Sequence, residues 1–490
     1  MKVYKLTEIA KKYWLAVFLI LYIPVCYFIY GYAKLFDDNY IYLQYAKHFV
    51  ENKELSFNLG EKSYAYTSPL WLAFHIALYR LISPEVIPLL LSIIFTLLTI
   101  ILCYYFLKDT FLNRLSLFLV MLIISFDPNF LKHAFNGMET SCTYFFSYLI
   151  LLGIIYTGKI KNNYLIGAVF GIFLLVRPES GILSFLTLSY LILFKKIKLK
   201  GVLQIAFTGS VVVLPWVIFT YLYYGKLLPD TFGAKGGDYK TGLNFLGNLF
   251  SAVKIFTGNY FAIFIFALIY LTRVPEFIKK QGIKNLFILL VMVIYILFYS
   301  AVFNNDNIYA RYLCLVFPFF MISFLSFAEF TLPDVRKFNY TLASVFVILL
   351  LIGFTFSRMD KVMVDNYRRV EKEVIVWIND NTSKSSYITR GRIGEIGYKT
   401  QRRIFDPVGL INRDIAGYYQ SGKILDYYLL KKPDYLIETS PRIVEGIGRH
   451  AQVKLVKEFN YQSGFLLRQK LFDWNPHFAE IKIYKVDWPK

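Results

Sequence analysis

Long apolar runs divide the first 356 residues of this 490-residue chain, and they limit the fold more than any other feature. A helix needs about 17–25 apolar residues to cross a bilayer core. The whole chain is 57% hydrophobic and 18% charged, whereas soluble globular domains are about 45–50% apolar and about 25% charged. The pattern predicts an α-helical polytopic membrane protein with about eleven spans, at 13–33, 84–107, 114–126, 143–157, 164–177, 180–194, 202–223, 251–272, 285–303, 311–330 and 339–356.

The positive charges follow a regular order between these runs. The formal net charge is +21, which at first suggests a polyanionic partner such as nucleic acid. With a cytoplasmic N-terminus, however, every short cytoplasmic loop is basic, as the positive-inside rule requires. The charge therefore indicates orientation in the inner (cytoplasmic) membrane, with an extracytoplasmic C-terminus, rather than a nucleic-acid partner. The basic residues of these loops are Lys108, Arg114, Lys159, Lys161, Lys195, Lys196, Lys198, Lys200, Arg273, Lys279, Lys280, Lys284, Arg336 and Lys337.

The composition changes after residue 356. The remaining part carries 24 basic and 16 acidic residues, and it has no run long enough to span a membrane. Helical stretches alternate there with short strand-like ones, including 386–390, 403–405 and 481–484, which is typical of a small α/β or α+β domain. The sequence therefore predicts a transmembrane domain at 1–356 and a soluble extracytoplasmic domain at 357–490.

Two adjacent carboxylates, Asp37 and Asp38, follow the first span at its predicted outer end. Carboxylates beside a membrane are costly to bury, and their mutual repulsion raises the pKa of one of them. Such a group acts as a general base toward a hydroxyl nucleophile. The alternative is a solvated pair that marks the end of a helix.

Further charged residues interrupt apolar sequence on the same predicted face. Glu139 lies at the entrance of a span, and Arg177 and Glu179 flank a helix-breaking proline. These three residues form either a functional site or a structural ion pair. Lys235 and Arg311 add positive charge that suits a phosphate, Arg through a bidentate contact and Lys as a point charge. The alternative for these cations is contact with anionic lipid headgroups.

The other residues and motifs of the sequence do not point to a specific chemistry. Tyr66 and Trp71 belong to an aromatic segment that suits the membrane interface. The histidines lack the spacing of metal ligands, and the four cysteines lie in or against apolar runs without a CxxC pair. The sequence contains no Walker A motif, no GxGxxG after a strand and no nucleophile elbow.

Taken in order, the motifs resemble those of a bacterial GT-C glycosyltransferase group that includes the terminal arabinofuranosyltransferases of mycobacterial cell walls. Three departures, Ser68, Ser180 and Asp230, stand where that group usually has Asn, Gly and Asn, so arabinose specificity is not carried over. The matching segments are Asp37-Asp38, Phe57-Asn58-Leu59-Gly60-Glu61, Tyr66-Thr67-Ser68-Pro69-Leu70-Trp71, Gly137-Met138-Glu139-Thr140, Arg177-Pro178-Glu179, Leu228-Pro229-Asp230-Thr231, Ala234-Lys235, Arg311-Tyr312, Gly394-Glu395-Ile396-Gly397-Tyr398, Asp406-Pro407-Val408-Gly409-Leu410 and Lys432-Pro433-Asp434-Tyr435.

The resemblance implies a GT-C fold and an inverting glycosyltransferase. Such an enzyme moves a sugar from a polyprenyl-phosphate donor to a cell-envelope glycan, lipid or protein on the outer face of the membrane. By this analogy Asp37 is the catalytic base, and Asp38 tunes it or exchanges roles with it. The residues expected to bind the donor phosphate are Arg177, Lys235 and Arg311. The residues expected to bind sugar or acceptor are Glu139 and Glu179, with Tyr66 and Trp71 as an aromatic platform.

Two further expectations concern cofactors and the alternative function. No metal is required, because basic side chains neutralise a single leaving phosphate, although a divalent cation (Mg²⁺ or Mn²⁺) at Asp37 and Asp38 is an alternative. A transporter or flippase of a lipid-linked sugar is the alternative function. Transporters often show matching halves, whereas no halves match in this chain.

Overall fold

The structure is a computed structural model, and it describes residues 2–30, 35–111, 113–231, 243–281, 283–302, 310–412, 414–460 and 480–489. Helices dominate the described residues up to about 381, and a small sheet with short helices follows. The helices of the first part are α1 (Lys2–Tyr30), α2 (Asp37–Asn52), α3 (Pro69–Leu78), α4 (Ile87–Leu107), α5 (Arg114–Ser125), α6 (Pro128–Ala134), α7 (Thr140–Tyr148), α8 (Asn163–Val176), α9 (Ser180–Leu193), α10 (Leu199–Tyr224), α11 (Leu243–Asn259), α12 (Phe261–Ile269), α13 (Val274–Gln281), α14 (Ile283–Val302), α15 (Phe317–Thr331) and α16 (Val335–Asn381).

Each predicted apolar run contains an apolar helix or a bent pair of helices. Among the described residues, four helices are long and apolar enough to cross a membrane, or up to six spans if each bent pair is one span. The four are Pro84–Leu107, Leu199–Tyr224, Lys284–Val302 and Val335–Thr355. Six shorter apolar helices account for the remaining runs and for α3, which the sequence analysis did not predict. The helical membrane fold is confirmed, and the count of eleven spans stays a prediction.

The bends and breaks of the bundle have local causes. Helices α5 and α6 meet at an angle of 60°, where Asp127 caps α6 and Pro128 occupies its first turn. Helix α8 ends at Val176, because Pro178 cannot continue a helix and the preceding Arg177 is extended. These breaks leave backbone and polar side chains at the ends of the helices rather than along them.

The predicted domain boundary lies inside a helix. Helix α16 is 47 residues long, and it runs from the apolar segment through residues 356 and 357 to Asn381 without a break. The composition changes at that point because the helix leaves the apolar part of the bundle, and no linker separates the two parts. The C-terminal domain is therefore continuous with the last apolar helix.

Within the described residues, the C-terminal domain contains a small sheet and four short helices. Its elements are β1 (Tyr387–Thr389), α17 (Gly394–Thr400), β2 (Arg403–Phe405), α18 (Ile415–Gln420), α19 (Ile424–Lys431), β3 (Tyr435–Ile437), α20 (Pro441–Gly448), β4 (Gln452–Asn460) and β5 (Glu480–Asp487). The five strands form a mixed sheet of order β2-β1-β3-β5-β4. Strand β1 pairs in parallel with β2 and β3, whereas β5 runs antiparallel to β3 and β4. This confirms the predicted α/β or α+β domain.

Candidate active site

A buried ion cluster forms at the break between α8 and α9. The Arg177 guanidinium donates through Nη2 to Oε1 of Glu139 and through Nη1 to Oε1 of Glu179, each at 2.9 Å. The exposed fractions of the three side chains are 5%, 2% and 15%, respectively. Glu139 precedes the first residue of α7, so the cluster joins the end of α8 to the starts of α7 and α9. The three intramembrane charges predicted from the sequence therefore lie together.

Two tyrosines of α14 complete this cluster. The hydroxyl of Tyr299 donates to Oε1 of Glu179 at 2.8 Å, and that of Tyr295 donates to the Glu179 carbonyl. Oε2 of Glu139 and Nε of Arg177 are buried without a hydrogen-bond partner among the described residues. Buried polar atoms are normally paired, so these two atoms indicate a place for water or a ligand.

Tyr312 brings the second arginine to the same place. Its ring centroid lies 5.8 Å from Cζ of Arg177 and 5.2 Å from Cζ of Arg311. Arg311 also donates through Nη2 to the Tyr312 hydroxyl at 3.3 Å. The ring stacks on that of Tyr299 with a centroid distance of 5.7 Å. Two of the predicted phosphate-binding cations thus contact one aromatic ring.

Arg311 links this group to the adjacent carboxylates at the start of α2. Nη1 of Arg311 lies 2.5 Å from Oδ2 of Asp38 in an ion pair. The structure thereby forms one chain of contacts that runs from Asp38 through Arg311 and Tyr312 to Arg177 and its carboxylates. We call this group the charged chain, and it comprises Asp38, Arg311, Tyr312, Arg177, Glu139 and Glu179.

Asp37 faces the C-terminal domain. Its Oδ2 accepts the backbone N–H of Gly394 at 3.0 Å, and its Oδ1 accepts that of Glu395 at 2.8 Å. Burial raises the pKa of Asp37 to about 6, and the neighbouring charge of Asp38 contributes to this rise. The two backbone N–H donors oppose it, because they stabilise the ionised carboxylate. A carboxyl group with such a pKa is ionised at neutral pH and basic enough to accept a proton.

Both aspartates are engaged by nitrogen donors of the protein. Both oxygens of Asp37 accept backbone N–H groups, and Asp38 pairs with a guanidinium. Within the described ranges, no group of three His, Cys, Asp or Glu side chains is arranged to hold a metal ion. The prediction that no metal is required, with a divalent cation at Asp37 and Asp38 as the alternative, stays a prediction.

The two residues of the predicted aromatic platform are buried, and their role in binding substrate stays a prediction. Tyr66 and Trp71 are each only 1% exposed. The Tyr66 hydroxyl bonds to that of Tyr224 at 3.1 Å, and the Trp71 ring packs against His75 at 5.7 Å. The loop between α2 and α3 folds against the end of α10, which turns these rings into the core. An aromatic segment beside a membrane predicts exposure poorly, because the same residues pack well inside a bundle.

The remaining predicted cation, Lys235, lies outside the described residues, so its predicted role has no geometry to support it. Asp230, one of the departures from the family pattern, is a structural residue. Its Oδ2 accepts the backbone N–H of Tyr64 at 2.9 Å, and its Oδ1 pairs with Lys226. These contacts fix the end of α10 against the loop that follows α2.

Sequence reasoning missed two parts of the site. Tyr295 and Tyr299 stand four residues apart on one face of α14, but in an apolar run they resemble ordinary core aromatics. The contact of Asp37 with Gly394 joins residues 357 positions apart, and no local pattern indicates it. Gly394 and Glu395 belong to one of the segments that resemble the family, but the resemblance assigned no function to that segment.

Comparisons with known proteins give one partial family match and a likeness to solved structures. A family described as a domain of unknown function (DUF8728) matches residues 362–481. No curated protein matches the sequence. Among solved structures, ArnT from Cupriavidus metallidurans in the apo state aligns with a TM-score of 0.61 at 10% identity, covering 97% of this chain and 98% of that chain.

Two further alignments are with other solved structures. The same ArnT bound to undecaprenyl phosphate aligns with a TM-score of 0.59 at 10% identity, over 95% of this chain and 98% of that chain. The arabinofuranosyltransferase AftD from Mycobacteria aligns with a TM-score of 0.49 at 12% identity, over 96% of this chain and 41% of that chain. The alignments with ArnT extend over nearly the full length of both proteins, and they show that this chain is a membrane protein with a GT-C-like fold.

Proposed function

We propose that this protein is an inverting membrane glycosyltransferase. It moves a sugar from a polyprenyl-phosphate donor to a hydroxyl group of a cell-envelope acceptor on the outer face of the membrane. The observation that carries this proposal is the ion pair of Arg311, the candidate phosphate-binding guanidinium, with Asp38, the residue next to the candidate base Asp37, within a GT-C-like fold. The ArnT structure of the same fold binds undecaprenyl phosphate, which supports a polyprenyl phosphate as the lipid partner.

The chemistry needs two groups on opposite sides of one bond. The acceptor hydroxyl attacks the anomeric carbon of the sugar while Asp37 takes its proton, and the bond from that carbon to the phosphate oxygen breaks. The electron pair of that bond leaves with the lipid phosphate, whose negative charge grows in the transition state. A guanidinium aimed at the leaving oxygen stabilises that charge more than it stabilises the bound donor, and this difference accelerates transfer.

The two arginines have different roles in this proposal. Arg177 is held by two carboxylates in a buried setting, so its charge is already balanced. Arg311 is 24% exposed and pairs with Asp38 at the end of the charged chain nearest the base. Arg311 is therefore the residue that binds the leaving phosphate, and Arg177 fixes the helix ends around it. Lys235 stays a predicted second cation.

Glu139 and Glu179 have different roles in this proposal. One oxygen of Glu139 is without a partner among the described residues, and it suits a hydroxyl group of the sugar or acceptor. Glu179 is already engaged with Arg177 and both tyrosines of α14. We therefore assign Glu139 to substrate and Glu179 to the framework.

The test uses the full-length protein in lipid nanodiscs with a panel of polyprenyl-phosphate sugars and an envelope extract as acceptor. Mass spectrometry measures both the free polyprenyl phosphate and the glycosylated product. We expect one donor to give both products in equal amounts, with Asp37→Asn and Arg311→Gln strongly impaired. Arg273→Gln, which changes an exposed pair with Glu276, is the control variant. Equal product formation by all four proteins would refute the site assignment.

A further inference from the structure

The proposed base is held by a part of the chain that lies far from it in sequence. Gly394 and Glu395 form the first turn of α17 in the C-terminal domain, and their backbone N–H groups occupy both oxygens of Asp37. Hydrogen bonds from two N–H groups to one carboxylate fix its rotation as well as its position. The orientation of the Asp37 carboxylate therefore depends on where the C-terminal domain sits.

The contact leaves no space for a side chain at position 394. A Cβ atom added to Gly394 would overlap the carbonyl oxygen of Asp37 and lie 2.8 Å from its carbonyl carbon. It would also lie 3.1 Å from Cγ of the same residue. Two of these three atoms are backbone, so they have no rotamer by which to move aside. The glycine is thus needed for close approach to Asp37 rather than for an unusual backbone angle.

Other bonds hold the domain in the same position. The Asn58 side chain accepts the N–H of Ile404 and donates to its carbonyl oxygen, both at 2.9 Å, so it pairs with β2 like a strand residue. Nε2 of Gln401 donates to Oε1 of Gln44 at 3.0 Å, and ion pairs join Lys399 to Glu85 and Arg403 to Glu61. The interface extends from α2 to the loop after it, with Asp37 at one end.

The charges that face Asp37 come from several elements. Asp38 is its neighbour on α2, and Arg311 balances that residue. Helix α16 contributes Glu371 and Arg368, of which Arg368 donates to the carbonyl oxygen of Leu35 at 2.7 Å. Helix α17 contributes Glu395 and Lys399. Acidic and basic groups both surround the contact of Asp37 with Gly394 and Glu395, so their charges alone do not fix the orientation of the Asp37 carboxylate. The two hydrogen bonds from the backbone N–H groups fix it.

We propose that the C-terminal domain is part of the catalytic centre, because the backbone N–H groups of Gly394 and Glu395 position the Asp37 carboxylate for proton abstraction. This inference rests on the proposed glycosyl transfer. The two residues are positioning residues, since they touch the base and not the substrate. The domain consequently acts in the chemical step, in addition to any part that it has in binding the acceptor.

The first test compares two glycines of the same domain in the full-length protein. Gly394→Ala forces Asp37 and α17 apart, whereas Gly448→Ala places its new carbon in open space. Loss of the hydrogen bonds to the charged base leaves its orientation unfixed, so we expect kcat to fall about 10- to 100-fold in Gly394→Ala. The donor KM stays within about twofold, because the charged chain binds the donor. Activity of Gly394→Ala equal to that of Gly448→Ala would overturn the inference.

The second test separates positioning from misfolding. Glu395→Pro removes one N–H donor at a position in the first helical turn that tolerates proline, and Glu395→Ala is its reference because it keeps the donor. Loss of a donor to the carboxylate raises its pKa, so the acid limb of the kcat profile moves to higher pH in Glu395→Pro and in Gly394→Ala. A purely structural defect lowers the amount of active protein at every pH and leaves the limb in place, which would contradict the proposal.

A third measurement tests the contact of Asp37 with Gly394 and Glu395 independently of the proposed glycosyl transfer. Hydrogen exchange at the amides of Gly394 and Glu395 is compared between the parent protein and Asp37→Ala. Faster exchange in the variant supports the contact even if no donor sugar is transferred, in which case the proposed function alone fails. Unchanged exchange at both amides would overturn the positioning contact, whether or not the protein transfers a sugar.

Discussion

Arg177 offers the most quantitative prediction, since it is a buried cation between two carboxylates. In Arg177→Met, Glu139 and Glu179 lose their counter-ion while the shape of the side chain is roughly kept. Removing one partner of a buried ion pair costs about 3–5 kcal/mol, because it leaves charge uncompensated in a region of low polarity. Glu139 is only 2% exposed, so solvent screens little of this effect. We expect the free energy of unfolding of Arg177→Met to fall by about 3 kcal/mol or more.

The assay is denaturant unfolding of the purified protein in mixed micelles. The control is Arg273→Gln, whose exposed pair with Glu276 is expected to contribute about 0–1 kcal/mol. Adding Glu139→Gln to Arg177→Met removes one uncompensated charge, and the double variant should recover about 0.5–3 kcal/mol of the loss. Equal stability of Arg177→Met and Arg273→Gln would refute the argument that the cluster is a buried structural ion pair.

Three further predictions concern chemistry and pH. Arg311→Gln should lower kcat about 100- to 1000-fold, as expected for loss of a donor to the developing charge, and a rate assay on the nanodisc protein measures it. The kcat of the parent should rise as pH increases through about 6, because Asp37 must be ionised to act as a base, and a pH–rate profile checks this. Burial raises the pKa of Glu395 from 4.5 to about 7, so folding favours its protonated form, and the free energy of unfolding should decrease as pH rises through that window. Unfolding curves recorded at several pH values should show a smaller slope in Glu395→Gln, because Asp37, whose pKa is raised to about 6, still contributes at the lower pH values.

Much of the membrane part was predictable because it depends on local composition. Each apolar run became an apolar helix or a bent pair, since a bilayer demands continuous apolar length and internally bonded backbone. The bend between α5 and α6 has a local signal in Asp127 and Pro128. Helix α3 was missed because its 10 residues are too few to resemble a span.

The sequence predicted most of the charged residues of the candidate site, but only some of the contacts among them. Charges in apolar sequence are rare enough to indicate Glu139, Arg177 and Glu179, and the ion pairs among them follow from the cost of burying single charges. The sequence did not reveal that Tyr312 joins the two arginines, because its contact with Arg177 connects residues that lie far apart in the sequence.

Burial and the continuity of one helix account for two differences between the sequence pattern and the structure. Tyr66 and Trp71 have amphipathic side chains that suit either an interface or a core, and only the fold of the loop decides between them. The boundary at 356/357 marks where the apolar composition ends, although the backbone continues as one helix. Hydrogen bonding sets a helix boundary, and composition sets a membrane boundary, so the two need not coincide.

The most direct measurement of the central claim follows the fate of a polyprenyl-phosphate sugar labelled in both its lipid and its sugar. The full-length protein in nanodiscs receives this donor with an envelope acceptor, and the products are separated by chromatography and mass. The account predicts that the sugar label moves to the acceptor with inverted anomeric configuration, that the lipid label appears as polyprenyl phosphate, and that Asp37→Asn abolishes both. Donor that crosses the membrane in proteoliposomes with its glycosidic bond intact, and no labelled acceptor from any donor, would contradict the account and favour a flippase.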